Sequence, residues 1–307
     1  MTSDLFDAED LAELSRQLES EGFAFTLPDV IPRTDAADVE ASPAQARLWY
    51  LSQLQPDDWS YNLSAAFRMA KDVSLPRIEA AFARVLERHD ALNSSIAPLD
   101  GKPILKLWPD TRIKLSVRHL EPGGGATDQN AIDDALADEI RRPFDLAAER
   151  PVRLSVVRTE NTSCLVIVMH HCAADGWSVP LLLKDFLTAY ADHGETPLEP
   201  LPVRYRDFAF WQNAQQKTGA MQADLAYWQR RLADCPLSTG FPFRTNVPKT
   251  HLAERKSFSI PAAQVDGLAV DLGVTPYAIL ITLYAFLVSR YSDTQDLLVA
   301  ASAAGRD

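Results

Sequence analysis

Cysteine and basic residues are scarce in this chain of 307 residues. It has only three cysteines, Cys164, Cys172 and Cys235. Their odd number, wide spacing and lack of a CxxC pair argue against a disulfide framework and favour reduced thiols in a cytoplasmic protein. Lys and Arg total 30 against 42 Asp and Glu, which gives a formal net charge of -12. We therefore expect no binding to nucleic acid or to an anionic membrane, since both reward clustered basic residues.

Long apolar runs are also absent. The longest, AILITLYAFLVSRY at 278–291, falls short of the roughly 20 residues that span a bilayer and predicts a buried helix. The N-terminus, MTSDLFDAEDLAEL, is acidic and lacks the basic region and apolar core of a signal peptide. With 47% hydrophobic and 23% charged residues, the composition is that of an ordinary globular protein. The length suggests two domains or one large domain.

Helical and strand patterns are mixed along the chain, which indicates an α/β architecture. The segment SCLVIVMHH at 163–171 is apolar at nearly every position and predicts a central strand buried on both faces. Ser42, Thr275 and Ser178 are candidate N-caps, each followed closely by proline. Helices are predicted at 8–20, 42–54, 75–92, 128–142, 178–194, 204–216, 224–235 and 275–292. Strands are predicted at 63–70, 103–109, 112–120, 152–159, 163–171, 255–262 and from 295.

Two proline-rich stretches divide the chain. We predict an acidic helix and linker at 1–40, a main region at 41–238, and a linker with a last, incomplete region at 239–307. A helix-then-strand pattern recurs after residue 255, which suggests a second copy of the same architecture, cut short.

The segment VMHHCAADGWS at 168–178 concentrates reactive side chains at the end of the buried strand. A metal site is disfavoured, because neighbouring residues on a strand point to opposite faces and His170 and His171 cannot easily bind one ion. A thiol nucleophile is disfavoured too, since Cys172 directly follows His171 and sequence neighbours rarely face each other; we predict a small buried residue. No GxSxG elbow is present for serine hydrolysis.

Two interpretations of this segment remain open from the residues alone: a bland strand end, or a site for acyl transfer. Asp175 needs a partner or solvent for its carboxylate. Gly176 suits a close backbone approach or a positive φ, and its N–H lies near a helix start, where such groups stabilise an anion. A histidine base and an oxyanion donor are the minimal set for transfer to an amine or alcohol.

HHCAADG at 170–176 resembles the HHxxxDG motif of the condensation domains of nonribosomal peptide synthetases. The HxxxDG core alone occurs in many carrier- and CoA-dependent acyltransferases, so the surrounding motifs narrow the match. Those motifs lie in the family's order and spacing: SPAQARLWYLSQLQPDDWSYN (42–62), RHDAL (88–92), RRPFDLAAERPVRL (141–154), YRDFAFWQ (205–212), YWQRRL (227–232) and LLVAASAAGRD (297–307). Residues from about 40 to 307 are thus identified as a C-terminally truncated member of that family.

The resemblance implies a chloramphenicol acetyltransferase-like lobe with a mixed sheet and flanking helices, in two layers, plus the beginning of a second similar lobe. It implies that an acceptor amine attacks a carrier-bound donor thioester to form a peptide bond. His171 would position or deprotonate the amine, and the Gly176 amide would face the oxyanion. His170 would be structural, and Asp175 would pair with Arg306.

The resemblance also implies partners and one departure. No cofactor would bind directly, and the substrates would arrive on the phosphopantetheine of upstream and downstream peptidyl carrier proteins, beside an adenylation domain. Residues 1–40 suggest a docking element for an upstream synthetase subunit. The family usually has arginine where Asn93 stands. There are two alternatives. One is a stand-alone carrier- or CoA-dependent O- or N-acyltransferase, and the other is a non-catalytic carrier-docking lobe.

Overall fold

The structure is a computed structural model that describes residues 38–70, 73–120, 128–160, 162–193, 195–218, 222–236 and 256–301. The described residues belong to two compact units, which divide between Gly219 and Ala220. The predicted helix at 8–20 and the predicted boundary at 238/239 lie outside the described ranges.

The first unit contains a four-stranded mixed sheet in the order β2-β7-β6-β5 and a small sheet in the order β1-β4-β3. Within the large sheet, β5 and β6 are parallel and the other pairs are antiparallel. The strands are β1 (Val39–Glu40), β2 (Asn62–Met69), β3 (Ser94–Leu99), β4 (Lys102–Leu107), β5 (Ser116–His119), β6 (Val152–Arg158) and β7 (Ser163–His170). The helices are α1 (Pro43–Leu54), α2 (Leu75–Arg88), α3 (Asp128–Arg141), α4 (Ser178–Ala191) and α5 (Tyr205–Thr218).

Strand β7 is buried along its whole length, as its apolar sequence predicts. One face of the sheet packs against α2 and α4, through residues such as Phe82 and Phe186. The other face packs against α3, the end of α1 and the small sheet, where Ile132, Trp49 and Ile96 are buried. Because β7 lies between two cores, the segment that follows it starts from a rigid position.

The second unit contains three helices among its described residues: α6 (Gln222–Leu232), α7 (Ala262–Leu272) and α8 (Pro276–Ser292). Thr275 caps α8 as predicted, accepting the N–H of Ala278 at 3.2 Å. The prediction that α8 is buried is wrong, since Ile279 is its only buried residue. The strands predicted at 255–262 and from 295 are also wrong for the described residues, because no neighbouring strand there supplies their hydrogen bonds.

No single helix within the described ranges combines enough length and apolar character to cross a bilayer. Helices α7 and α8 pass that test by length and composition only as a pair, bent by 100° at the break between them.

Candidate active site

His170 and His171 lie where β7 ends at one edge of the sheet. The N–H of His170 donates to the carbonyl oxygen of Pro151 at 2.9 Å, and that of His171 donates to the carbonyl oxygen of Tyr61 at 2.8 Å. The backbone of both histidines is therefore fixed by hydrogen bonds to the residues that precede β6 and β2. Side chains alternate along a strand, so His170 is buried at 5% exposure while His171 is exposed.

The buried imidazole of His170 is held neutral. Burial lowers its pKa to about 4, repulsion between a protonated His170 and its neighbours His171 and Arg153 acts in the same direction, and the carboxylate of Asp58 opposes the shift. Its Nδ1 accepts the N–H of Cys172 at 3.2 Å, which places the ring proton on Nε2. Its ring lies 5.9 Å from that of Phe144, centroid to centroid. His170 is thus a buried, hydrogen-bonded residue of the fold, whereas the side chain of His171 is exposed.

Cys172 is a buried residue of the core. Burial raises the pKa of its thiol to about 12, so the thiolate that nucleophilic chemistry needs is not available near neutral pH. Its carbonyl oxygen accepts a 3.1 Å hydrogen bond from Nε2 of Gln45 in α1. Cys172 is thus a buried residue, as predicted, in an environment that disfavours a thiolate nucleophile.

Asp175 binds the first turn of α4. Its Oδ1 accepts the backbone N–H of Ser178 at 2.8 Å and the hydroxyl of Ser178 at 2.6 Å. In return, Ser178 Oγ accepts the N–H of Asp175 at 3.2 Å. The expected N-cap role of Ser178 is therefore wrong: Trp177 is the cap, without a side-chain bond, and the carboxylate of Asp175 satisfies the helix start. Arg306, the predicted partner of Asp175, lies outside the described residues.

Gly176 is exposed and free of close neighbours within the described part of the chain. A Cβ built there meets no heavy atom within 4 Å, and its φ is not positive. The positive φ suggested by the sequence is therefore wrong, and no part of the described chain approaches this backbone closely. The space beside its backbone is open.

Comparison with known proteins places this geometry in a family. The model of the condensation domain matches residues 36–307. The chain belongs to the condensation-domain family. It is 33% identical over 301 residues to the phosphinothricin tripeptide synthetase PhsC of Streptomyces viridochromogenes, covering 91% of this chain and 27% of that protein. It is 32% identical over 291 residues to the isonitrile lipopeptide synthase of Mycobacterium tuberculosis, covering 88% of this chain and 11% of that protein.

Solved structures share the condensation-domain fold. The X-domain from teicoplanin biosynthesis has a TM-score of 0.71 at 21% identity, covering 86% of this chain and 60% of that one. The EpoB cyclization-docking bidomain from Sorangium cellulosum has a TM-score of 0.68 at 19% identity, covering 94% and 60%. These matches confirm the predicted family and the chloramphenicol acetyltransferase-like fold with its mixed sheet. The chain spans 27% and 11% of the length of the two synthetases and 60% of each of these two solved chains.

Two motifs quoted for the condensation-domain family meet in the structure. The RHDAL segment ends α2, and Oδ1 of its Asp90 accepts the N–H of Tyr205 at 3.2 Å, at the start of the YRDFAFWQ helix. Burial raises the pKa of Asp90, while the backbone N–H groups and the Arg204 and Arg206 charges oppose that rise. His89 Nε2 lies 2.7 Å from Oδ2 of Asp185 in α4. These residues join α2 to both α4 and α5.

Asn93, the departure from the family pattern, is buried and has a partner. Its Oδ1 accepts Nε of Arg150 at 2.8 Å. The same guanidinium donates to Asp110 Oδ1 at 3.0 Å and lies 4.8 Å from the centroid of Trp108. A guanidinium is thus present beside position 93, supplied by a different part of the chain.

Sequence reasoning missed three residues around the site: Gln45, Asn62 and Arg153. Gln45 had a local signal, because Ser42 and Gln45 form an S-x-x-Q capping box, with both reciprocal bonds at 3.2 Å. Asn62 and Arg153 lie in family motifs named above, but no local spacing indicates what they contact. Asn62 contacts Ile140, which lies 78 positions later in the chain, and Arg153 contacts Arg142, which lies 11 positions earlier. Both contacts are at the end of α3.

Proposed function

We propose that this chain supplies the histidine side of a condensation active site, which transfers a carrier-bound acyl or peptidyl thioester to the amine of a carrier-bound acceptor. The observation that carries the proposal is the pair of histidines: one buried and neutral, the next exposed, at the end of a rigid strand. Family membership supports the same activity.

In the proposed reaction, His171 orients the acceptor amine and takes its proton as nitrogen attacks the thioester carbonyl carbon. A C–N bond forms and the C–S bond breaks. The proton held on His171 then passes to the leaving thiolate. Amide, thiol and neutral histidine are the products, so atoms and charge balance.

The developing oxyanion requires a donor, and the Gly176 amide is the proposed one. Gly176 directly precedes Trp177, the cap of α4, so its N–H lies beside the positive end of the helix dipole. Its N–H has no hydrogen-bond partner among the described residues. Asp175 keeps this backbone in place through Ser178, and a pair with Arg306 remains part of the proposal.

The proposed partners are peptidyl carrier proteins upstream and downstream, which deliver substrates on phosphopantetheine, and an adjacent adenylation domain. Residues 1–40 are proposed to dock an upstream synthetase subunit. A cytoplasmic location is proposed as well, and the three free cysteines, Cys164, Cys172 and Cys235, support it.

The test compares His171→Ala with His119→Ala in a complete module that carries this chain, supplied with loaded donor and acceptor carriers. His119 is an exposed histidine of β5 and serves as the matched control. We expect product formation to fall by about 100-fold or more in His171→Ala, as for the loss of a general base, and to stay unchanged in His119→Ala. Unchanged product formation in His171→Ala overturns the proposal.

The donor separates this function from a stand-alone acyltransferase. The same module is given either the carrier-bound thioester or the matching free acyl-CoA. The condensation function predicts turnover of the carrier-bound thioester but not of acyl-CoA. Comparable rates with acyl-CoA would assign the chain to the acyltransferase alternative. Binding of a loaded carrier with no turnover in either case would leave only a docking role.

A further inference from the structure

The C-terminal end of α3 lies directly over the end of β7. Two side chains from neighbouring strands hold it there. Nδ2 of Asn62 donates to the carbonyl oxygens of Ile140 at 2.7 Å and Arg142 at 2.9 Å. Nη1 of Arg153 donates to the carbonyl oxygen of Pro143 at 3.2 Å, and its Nη2 donates to that of Arg142. The carbonyl of Ile140 in the last turn of α3, which lacks an intrahelical partner, and those of Arg142 and Pro143 just after the helix are therefore bound by side chains of the sheet.

Strand register places these side chains around His170. Asn62 of β2 is directly opposite His170, and Arg153 of β6 is opposite Val168, two residues earlier on β7. Residues two apart on a strand share a face, as do directly paired residues. Asn62, His170 and Arg153 thus lie on the face of the sheet that carries α3.

Phe144 connects the guanidinium to the imidazole. The Cζ of Arg153 lies 3.8 Å from the centroid of the Phe144 ring, a cation–π distance. The same ring meets His170 at an interplanar angle of 75°, edge to face. A movement of the Phe144 ring would therefore change the packing of the His170 imidazole directly.

The guanidinium of Arg153 is buried, and its desolvation costs free energy that its contacts must offset. It is 9% exposed, and no carboxylate lies within ion-pair distance of it in the described part of the chain. Burial of a charge without a counter-ion is expensive. The carbonyls at the negative end of α3 and the face of Phe144 offset part of that cost. An apolar side chain could fill the same space, but it could not bind the carbonyls.

We propose that Arg153 is a positioning residue for the condensation reaction. It holds the end of α3 and the Phe144 ring against His170, and so fixes the point at which His171 leaves β7. The link to His171 is short: Tyr61 packs near His170, with ring centroids 6.2 Å apart, and its carbonyl oxygen accepts the His171 N–H. The catalytic part of this inference rests on the proposed role of His171.

The test uses Arg153→Met, which keeps an unbranched, though shorter, side chain but loses the donors, and Arg153→Lys, which keeps the charge. Arg158→Met is the matched control. It removes an arginine from the other end of the same strand, where Nε donates to Ser163 Oγ at 3.1 Å. Thermal unfolding of each variant identifies any that fails to fold, in which case Phe144→Leu takes its place.

Two readouts go beyond stability. Amide hydrogen exchange at His170 and His171 should be about tenfold faster in Arg153→Met than in the parent, and the ¹⁵N shifts of the His170 imidazole should change. In the complete module, kcat should fall roughly 10- to 100-fold with little change in KM, the scale expected when a catalytic group is misplaced. In hydrogen exchange, ¹⁵N shifts and kcat, Arg153→Lys should give values between those of the parent and of Arg153→Met. Arg158→Met should match the parent in all three measurements.

Different outcomes test the role of Arg153 and the role of His171. If Arg153→Met folds and leaves His170 shifts, exchange at His171 and kcat unchanged, the positioning role is overturned, whatever His171→Ala does. If exchange and shifts change in Arg153→Met while His171→Ala retains full product formation, the contact is upheld and the catalytic assignment of His171 is what falls.

Discussion

Nε2 of Gln45 in α1 donates a 3.1 Å hydrogen bond to the carbonyl oxygen of Cys172, which is 127 residues later in the chain. Gln45 is 2% exposed. Its Oε1 also accepts the N–H of Ser42 at the start of α1. One amide side chain therefore caps the start of a helix and fixes the turn after the two histidines.

Gln45→Leu should destabilise the first unit, although leucine has a side-chain volume similar to that of glutamine. Two buried backbone groups, the Ser42 N–H and the Cys172 carbonyl, would lose their partner, and each unsatisfied group costs about 1–3 kcal/mol. Urea unfolding measures the loss. Gln53→Leu, at an exposed position of the same helix, is the control. Equal midpoints for the two variants would contradict the role given to Gln45.

His170 should make the stability of the first unit depend on pH. Its folded pKa, about 4, lies below its usual value of 6.5, so the unfolded chain binds a proton that the folded chain excludes. The free energy of unfolding should therefore be highest above pH 6.5 and should fall as the pH drops to about 4, by roughly 3 kcal/mol in total.

The measurement is urea unfolding at intervals between pH 4 and pH 7.5, for the parent and for His170→Asn. Other groups titrate in this range, so the difference between the two proteins isolates the histidine. The parent should lose more stability than His170→Asn on acidification. Parallel curves would show that His170 binds its proton equally well in the fold.

Several elements were predictable from local pattern. The capping signals at Ser42 and Thr275 and the apolar run that became β7 all hold in the structure. The strands expected at 255–262 and from 295 do not, since a strand forms only where a neighbour pairs with it, and sequence pattern alone does not report the neighbour. Helix α7, which was not anticipated, shows the same limit.

The site was predictable in part. Alternation along β7 separates His170 from His171, and the resemblance to the family indicated which of them would carry the chemistry. The contacts of Asn62 and Arg153 with the end of α3 depend on how distant segments pack, which no local spacing encodes. Gly176 shows the converse: its local pattern suggested a positive φ or a close backbone approach, yet its φ is not positive and its surroundings in the described chain are open.

Asp175 and Ser178 should be energetically coupled. Each contributes to the bonds that start α4, so Asp175→Ala and Ser178→Ala should each cost about 1 kcal/mol, as for the loss of a helix cap. The double variant should cost less than the sum of the two, with a coupling of at least about 0.5 kcal/mol. Strict additivity in chemical unfolding would contradict the observed geometry.

Gly176→Ala should separate catalysis from stability. The added Cβ meets nothing within 4 Å in the described residues and the φ is not positive, so the free energy of unfolding should stay within about 0.5 kcal/mol of the parent. If the substrate oxyanion approaches this backbone, the methyl group obstructs it, and the loss of one oxyanion donor costs on the order of 100-fold in kcat. Gly267→Ala, in α7 and with equally open surroundings, is the matched control and should retain the parent rate. Parent-like turnover in Gly176→Ala would mean that no substrate atom approaches this amide, and the oxyanion donor would have to be another group.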